Sequence, residues 1–170
     1  MIKVRPQIFS DPSRIICKAL DEDGDIFYQM YSKEKYLGYM SAYPAIDKNG
    51  PHLFIQYLVA VTPRKQKVGT DFVSFAKELS QQFGCPGHIE VKASHLGGKS
   101  EVSHIFWRKM GFSSEDRKQL RKLDRKMLFS KELPFTFKPM DMYLPTEKIP
   151  PENIFRRLYL WKKSFNHNID

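Results

Sequence analysis

Short apolar runs separated by polar turns fill the first 62 residues, and this pattern is typical of β-strands. The predicted strands are 2–9, 14–20, 26–32, 36–43 and 53–61. The run 14–20 could also form a short helix, but its length favours a strand. The last run, LFIQYLVAV, is apolar on both faces apart from Gln56, which favours a central strand covered on both sides.

After that run, the spacing of the apolar residues becomes helical. The residues at this spacing are Val68, Phe72, Phe75, Ala76, Leu79 and Phe83. They predict an amphipathic helix over 68–83 that ends at Gly84. A strand is predicted at 88–94 and a second helix at 100–110. A strand–helix–strand crossover predicts that 53–61 and 88–94 are parallel neighbours.

The C-terminal third is basic and less regular. A helix is predicted within 114–133, and one or two strands within 133–144. Residues 154–165 predict an amphipathic helix that either packs on the core or contacts a second copy in a homodimer. The whole chain, residues 1–170, is expected to form one α/β domain. Its mixed sheet would be antiparallel at the start, with a parallel central pair and helices on both faces.

The chain has a large surplus of positive charge. Lys and Arg number 28 against 19 Asp and Glu, which gives a net charge of +9. Such a surplus favours anionic partners, such as nucleic acid or a polyphosphate cofactor. The densest run, RKQLRKLDRK (117–126), could bind a phosphate backbone, but no helix-turn-helix, RNA-stacking or zinc signature accompanies it. A solvated helix face is favoured, and a nucleic-acid-binding module stays open as an alternative.

Membrane, secreted and metal-binding classes are disfavoured by the sequence. The longest apolar runs have about nine residues, which is too short to span a bilayer. The start MIKVRPQIFSDP has no apolar signal segment. Cys17 and Cys85 do not form a CxxC motif, and no Cys/His cluster has the spacing of a zinc site. We therefore expect a cytoplasmic protein without a membrane partner or a bound metal.

The stretch VTPRKQKVGTDF (61–72) joins the apolar strand to the first helix. A helix N-terminus offers free N–H groups and a partial positive charge, which together favour an anion. Basic residues precede the helix, and Gly69 lets the backbone come close to a ligand. The stretch contains neither the GxxxxGK[ST] nor the GxGxxG pattern, so a kinase or dinucleotide enzyme is disfavoured.

The stretch FWRKMGF (106–112), taken with this loop and the strand between them, resembles the GCN5-related N-acetyltransferase superfamily. Enzymes of this family carry an Arg/Gln-x-x-Gly-x-Gly/Ala loop that binds the coenzyme A pyrophosphate. A later helix in these enzymes ends in Phe-Tyr-Glu-Lys-Leu-Gly-Phe. Here RKQKVGT (64–70) matches the loop, and 106–112 matches the helix end. The resemblance covers residues 53–112.

The resemblance implies an N-acetyltransferase that uses acetyl-CoA as a co-substrate and needs no metal. A primary amine, on a small molecule or a protein, would attack the thioester directly. The backbone near Leu58 to Ala60 would supply an N–H donor to the acyl oxygen. The residues expected at the cofactor are Val59, Val61, Arg64, Lys65, Gln66, Lys67, Val68, Gly69, Thr70, Ser100 and Trp107.

The loop departs from the family pattern. Lys67 stands where the first glycine of the loop is usual. A second register, starting at Gln66 and reaching Gly69, also fits the loop, but it places Asp71 where a small residue is usual. The register starting at Arg64 is preferred because it places apolar residues at the family's apolar helix positions.

Other departures concern catalysis and the acceptor. Ser100 stands for a common asparagine, and Trp107 for the tyrosine that often acts as the general acid. An indole cannot deliver a proton at neutral pH, so Trp107 is either a cofactor wall or a core residue. Residues 10–25 hold one short helix at most, whereas the family usually has two helices there. A non-catalytic, coenzyme A-binding relative therefore stays open as another alternative.

Two residues are candidates for proton transfer. Glu90, on the strand after the first helix, is the nearest carboxylate that could act as the base. Tyr143, in the last predicted strand, could donate a proton, although an ordinary structural role is open for both residues. His95 is interpreted as incidental because it lies in a loop, and His104 because the resembling family usually has an apolar residue there. Cys85 has no recognisable base beside it in the sequence, so a thiol nucleophile is disfavoured.

Overall fold

The computed structural model describes residues 2–4, 9–61, 66–85, 87–94, 103–129 and 137–145. The described strands are β1 (Ile2–Val4), β2 (Arg14–Leu20), β3 (Ile26–Ser32), β4 (Lys35–Asp47), β5 (Gly50–Ala60), β6 (Ile89–Ala93) and β7 (Met140–Leu144). The described helices are α1 (Val68–Gln82), α2 (Ser103–Lys109) and α3 (Arg117–Phe129). Among these helices, none has the length and apolar character needed to cross a membrane.

Within the described residues, the strands form one seven-stranded sheet in chain order. Strands β1 to β5 are antiparallel neighbours, β5 and β6 are parallel, and β7 returns antiparallel to β6. The crossover through α1 supplies the long connection that a parallel pair needs. The predicted fold class, a mixed α/β sheet with an antiparallel start and a parallel central pair, is confirmed.

One face of the sheet carries the core. Ile55, Val91 and Met142 are register partners on three adjacent strands, and all three are buried. On the same face, Tyr28 lies against Phe75 of α1, with ring centroids 5.1 Å apart. Burial contributes about 1.5–3 kcal/mol for each large apolar side chain, so this face holds α1 on the sheet.

The opposite face of the same strands is only partly buried. Phe54, Glu90 and Tyr143 are register partners there, and each is partly exposed. The first turn of α3 lies beside this face, because Asp116 and Gln119 line a cavity together with Glu90 and Tyr143. Helices therefore approach the sheet from both sides.

The connection between β2 and β3 is a tight turn. The Asp21 carboxylate accepts hydrogen bonds from the N–H groups of Asp23 and Asp25, and Gly24 has a φ of +86°. Strand β2 therefore passes directly into β3, and no helix lies between these two described strands. The two helices usual in the resembling family have no counterpart at this place.

Some predicted limits differ from the structure. Strand β4 continues past residue 43 because its hairpin with β5 stays paired as far as Asp47 and Gly50. The run 14–20 is a strand, as its length favours. The helix predicted over 154–165 lies outside the described residues.

Candidate functional site

The two parallel strands are paired only at the start of β6. Within the described residues, Leu53–Ile55 pairs with Ile89–Val91. Strand β6 ends at Ala93, whereas β5 continues to Ala60. The register between β4 and β5 also shifts here, and Gln56 is the unpaired extra residue of a β-bulge. Among the described residues, β5 has no strand partner on its β6 side beyond this bulge, and this opening is called the β5–β6 gap.

The backbone groups of β5 alternate between β4 and the β5–β6 gap. Val61 donates its N–H to a β4 carbonyl at 2.9 Å. The Val59 carbonyl faces Gly38 of β4, where an added Cβ would lie 2.1 Å from it. Because an antiparallel ladder alternates sides, the N–H and C=O groups of Leu58 and Ala60 face the gap. The backbone groups of Val59 and Val61 thus face β4, and the assignment of these two residues to the cofactor stays a prediction.

Helix α1 begins after the loop that follows β5. Its N-cap residue, Lys67, has left-handed backbone angles with φ of 56°. The resembling family usually has a glycine at this position, and glycine adopts a positive φ without strain. Gln66, Lys67 and Thr70 are exposed, whereas Val68 is buried. The predicted cofactor residues that lie outside the described residues are Arg64, Lys65 and Ser100.

A buried ion pair fixes the loop before α1. The Arg14 guanidinium binds the Asp71 carboxylate in the first turn of α1, and these residues are 8% and 2% exposed. Arg14 also donates to the Gln66 carbonyl at 2.6 Å. Asp71 accepts hydrogen bonds from the N–H and the Oγ of Ser10 at 3.1 and 2.9 Å. The pair therefore ties β2 to the loop and the helix, and a carboxylate in the first turn is also favoured by the helix dipole.

Sequence reasoning missed this ion pair. The one available signal was Asp71, an acid where the resembling family usually has a small residue. Arg14 carries no local signal, because its partner lies 57 residues away in the sequence.

Gly69 is the contact point between α1 and α2. A Cβ at Gly69 would lie 2.9 Å from two ring atoms of Phe106. The absence of a side chain at this position is therefore required by the Phe106 ring. In the sequence, Gly69 is interpreted as allowing the close approach of a ligand. The contact with Phe106 accounts for the glycine without a ligand.

Trp107 belongs to the core. Its side chain packs between Phe106 and Phe112, with ring centroids 4.9 Å away in both cases, and the residue is 6% exposed. Of the two roles open from the sequence, cofactor wall and core residue, this geometry supports the core.

The two candidate catalytic residues stand side by side. Glu90 and Tyr143 are register partners on β6 and β7. Both line a cavity of about 340 Å³, which is called the acidic cavity. Its acidic lining residues are Asp47, Glu90, Glu115, Asp116 and Asp141. The lining continues to Met140, the register partner of Ala93, so the cavity reaches the level at which β6 ends. In a chain of net charge +9, this concentration of acids favours a cationic occupant.

The Glu90 carboxylate is turned towards the start of β6. Its Oε1 lies 3.2 Å from His88 Nε2, and its Oε2 lies 3.7 Å from His52 Nε2. The hydrogen bond with His88 is the main cause of a lowered pKa of Glu90, while burial acts in the opposite direction. Both oxygens thus lean away from the end of the strand, where the gap opens. This geometry does not support Glu90 as the general base at the gap.

The side chains interpreted as incidental have structural surroundings where they are described. His104 is buried, and its Nε2 lies 3.1 Å from the Lys138 carbonyl oxygen. Cys85 is buried, and desolvation raises the pKa of its thiol, which disfavours the nucleophilic thiolate. His95 lies outside the described residues.

Helix α3 contains the whole basic run 117–126. The exposed basic residues of this helix are Arg117, Lys118, Arg121, Lys122 and Arg125. Their spacing places them on neighbouring positions of a helical surface. This arrangement agrees with the solvated helix face favoured by the sequence.

No protein-family model matches the chain, and no curated protein sequence matches it. Among solved structures, the chain is similar to an acetyltransferase of Bacillus subtilis in complex with CoA, with 16% identity over 72% of this chain and 78% of that one, at a TM-score of 0.47. It is similar to nourseothricin acetyltransferase, with 14% identity over 79% and 85% of the chains, at a TM-score of 0.49. It is also similar to aminoglycoside 6'-N-acetyltransferase complexed with coenzyme A, with 17% identity over 82% and 77%, at a TM-score of 0.42.

Proposed function

We propose that this chain is an acetyl-CoA-dependent N-acetyltransferase that acetylates a primary amine by direct attack. The observation that carries the proposal is the β5–β6 gap, which exposes backbone groups of Leu58 and Ala60 and precedes the N-terminus of α1. A strand edge with free N–H and C=O groups suits an arm that contains amides. A helix N-terminus suits a diphosphate. Coenzyme A carries both groups.

Different parts of the chain would hold the different parts of this co-substrate. The N–H groups in the first turn of α1 and the Lys67 ammonium would hold the diphosphate, with Arg64 and Lys65 adding positive charge. The Arg14–Asp71 pair would keep the loop in place for this contact. The thioester supplies an activated acyl group. The Leu58 N–H is a donor available to its carbonyl oxygen.

The acidic cavity would receive the amine. Amines are protonated at neutral pH, so the carboxylates of Asp141 and Glu115 would attract the acceptor as an ammonium ion. One proton must leave the ammonium before nitrogen attacks, and the thiolate that departs must gain one. The first proton leaves to water. As the C–N bond forms and the C–S bond breaks, Tyr143 is the proposed donor to the thiolate, while the nitrogen gives its second proton to solvent and solvent reprotonates Tyr143.

Thermal unfolding with and without acetyl-CoA tests the co-substrate site. A ligand at a hundred times its dissociation constant adds roughly 2.7 kcal/mol to the free energy of unfolding. The exposed Thr70 lies in the first turn of α1. Thr70→Glu places a negative charge beside the expected diphosphate, and an acid is tolerated there by the helix itself. We expect this variant to lose most of the melting shift.

Thr70→Gln is the matched neutral control, and it should keep the melting shift. An equal shift in both variants would contradict the assignment to α1. The absence of any shift at millimolar acetyl-CoA would reject the proposed function. A clear shift without turnover on any amine would instead indicate a non-catalytic relative.

A second candidate function is supported by the exposed basic face of α3, which could bind nucleic acid. In that case, binding to DNA or RNA would weaken steeply with salt and would depend on Lys118 and Arg121. Binding that is unchanged in Lys118→Gln and Arg121→Gln would exclude this role for the helix.

A further inference from the structure

We propose that Asp47, His52 and Glu90 form a binding site for one divalent transition-metal ion of the zinc class. The three side chains come from the end of β4, from β5 and from β6. One ligand atom of each lies within 4.8 Å of the others. Asp47 and His52 are five residues apart, but Glu90 is distant in the sequence, so local spacing does not bring the three together. The site lies at the end of the acidic cavity remote from the β5–β6 gap, and it goes beyond the proposed acetyl transfer.

The imidazole of His52 is oriented by its own strand. Its Nδ1 lies 3.1 Å from the Gly50 carbonyl oxygen. A carbonyl accepts but does not donate, so this contact assigns the hydrogen to Nδ1. The Nε2 lone pair then faces Glu90 Oε2 at 3.7 Å. Nδ1 also lies 3.7 Å from Asp47 Oδ1, so the imidazole stands between two carboxylates, and a cation at Nε2 would be stabilised by them.

The distance between His52 Nε2 and Glu90 Oε2 is compatible with a metal ion bound between them. A separation of 3.7 Å is too long for a hydrogen bond between Nε2 and Oε2. Two ligand atoms, each about 2.1 Å from a zinc ion, lie roughly 3.4 Å apart at the tetrahedral angle. The observed separation is therefore close to the value that a bound ion would impose, and a small side-chain rotation closes the difference.

Outer contacts hold the two carboxylates. His88 Nε2 lies 3.2 Å from Glu90 Oε1, and the Asn49 side-chain amide donates to Asp47 Oδ2 at 3.4 Å. The Asn49 N–H donates to Asp47 Oδ1 at 2.7 Å. In metal sites, the ligating histidine commonly donates its second N–H to a carbonyl, and ligating carboxylates are held by further hydrogen bonds. The Gly50, His88 and Asn49 contacts fit that arrangement.

The donor set and its exposure indicate the type of site. One imidazole and two carboxylates suit zinc and similar ions better than magnesium or calcium, which prefer oxygen ligands alone. The side chains of Asp47 and Glu90 are 37% and 21% exposed on the cavity side. A fourth position therefore stays open to water or to a ligand in the cavity. A bound ion would fasten the β4–β5 turn to β6.

Calorimetric titration of the metal-free, full-length chain with Zn²⁺ tests the site, with the visible spectrum of the Co²⁺ form as a report on coordination. We expect one ion whose affinity falls by about tenfold or more in Asp47→Asn and in Glu90→Gln. Asp116→Asn is the matched control, because Asp116 lines the same cavity but lies outside the ligand set. Its affinity should stay within about twofold of the parent value.

Three outcomes would overturn the proposal. The first is the absence of Zn²⁺ binding. The second is an unchanged affinity in both Asp47→Asn and Glu90→Gln, which would place any bound ion elsewhere on the chain. The third is Mg²⁺ binding as tight as Zn²⁺ binding, which would exclude His52 as a ligand. Because Asp47 is exposed, its variant keeps the test valid even if a change at a more buried ligand disturbs folding.

Discussion

At the scale of single residues, Lys67 adopts a backbone conformation that its residue type does not predict. Its φ of 56° is in the left-handed region, where a non-glycine residue costs about 1–2 kcal/mol. Lys67→Gly is therefore expected to change the free energy of unfolding by about 0 to +1 kcal/mol, because the gain is partly offset by the larger entropy of glycine in the unfolded chain. Urea unfolding measures this difference.

Lys67→Val is the contrasting variant for the same position. A β-branched residue is strained at positive φ, so valine should lower the free energy of unfolding by about 1–2 kcal/mol relative to glycine. If valine proved as stable as glycine, Lys67 would not hold the left-handed conformation.

Gly69 and Phe106 give a second prediction at this scale. A Cβ at Gly69 would come within 2.9 Å of the Phe106 ring, so Gly69→Ala should destabilise the protein by about 1–3 kcal/mol through overpacking. In a Phe106→Leu background the same change should be neutral or stabilising, because alanine has the higher helix propensity.

The double-mutant cycle of these two changes measures the contact directly. We expect a coupling energy of about 0.5–3 kcal/mol. Additive effects would contradict the contact between Gly69 and Phe106. Because substitution of Gly69 itself lowers stability, a reduced melting temperature in such a variant would not report on ligand binding alone. Thr70 is therefore the better probe of the cofactor site.

At the scale of secondary-structure elements, the Arg14–Asp71 pair connects β2, the loop and α1. Breaking a buried pair by changing one partner leaves an uncompensated charge and costs about 3–5 kcal/mol. Asp71→Asn should therefore lower the free energy of unfolding by about that amount. Replacing both residues, as Arg14→Met with Asp71→Leu, should cost much less than the two single changes together.

Denaturant unfolding of the parent protein, Arg14→Met, Asp71→Leu and the double variant measures this coupling. Loop order can be followed separately through acetyl-CoA affinity, because Arg14 also binds the Gln66 carbonyl. If the double variant lost as much stability as the sum of the single variants, the pair would act as two independent residues.

The elements themselves could largely be predicted from the sequence. Helical spacing located α1, and an apolar run on both faces located β5 as a central strand, because these signals are local. The bulge at Gln56 and the turn of Glu90 towards His52 and His88 could not be predicted. They depend on which strands become neighbours and in which register, and periodicity carries no information about either. The same reason hid Leu58 and Ala60 as the residues that face the gap.

At the scale of the whole molecule, charge is separated between two surfaces. The exposed face of α3 is basic, whereas the acidic cavity concentrates carboxylates beside β6 and β7. A net charge of +9 favours an anionic partner, but it gives no information about a local cluster of acids such as this cavity. The acidic cavity suits the cationic acceptor of the proposed reaction, whereas the basic face of α3 is separate from the co-substrate site proposed at α1.

This separation predicts how the KM for an amine acceptor responds to charge. Asp141 is exposed at the cavity wall, so neutralising it removes a screened attraction of about 0.2–1 kcal/mol. Asp141→Asn should therefore raise the KM for a cationic amine by about two- to fivefold and leave kcat nearly unchanged. Added salt should raise the KM of the parent protein in the same sense, because screening weakens the attraction. Steady-state kinetics at two ionic strengths measures both effects.

Lys118→Gln and Arg121→Gln on α3 are the matched charge controls, and they should leave the KM for the amine unchanged. The opposite pattern, an effect of the α3 variants with none at Asp141, would move acceptor recognition from the cavity to the basic helix. The acceptor would then have to carry negative charge beside its amine, because a basic surface repels a simple ammonium ion. The sign of the response to charge at these two surfaces therefore identifies the electrostatic class of the acceptor before its structure is known.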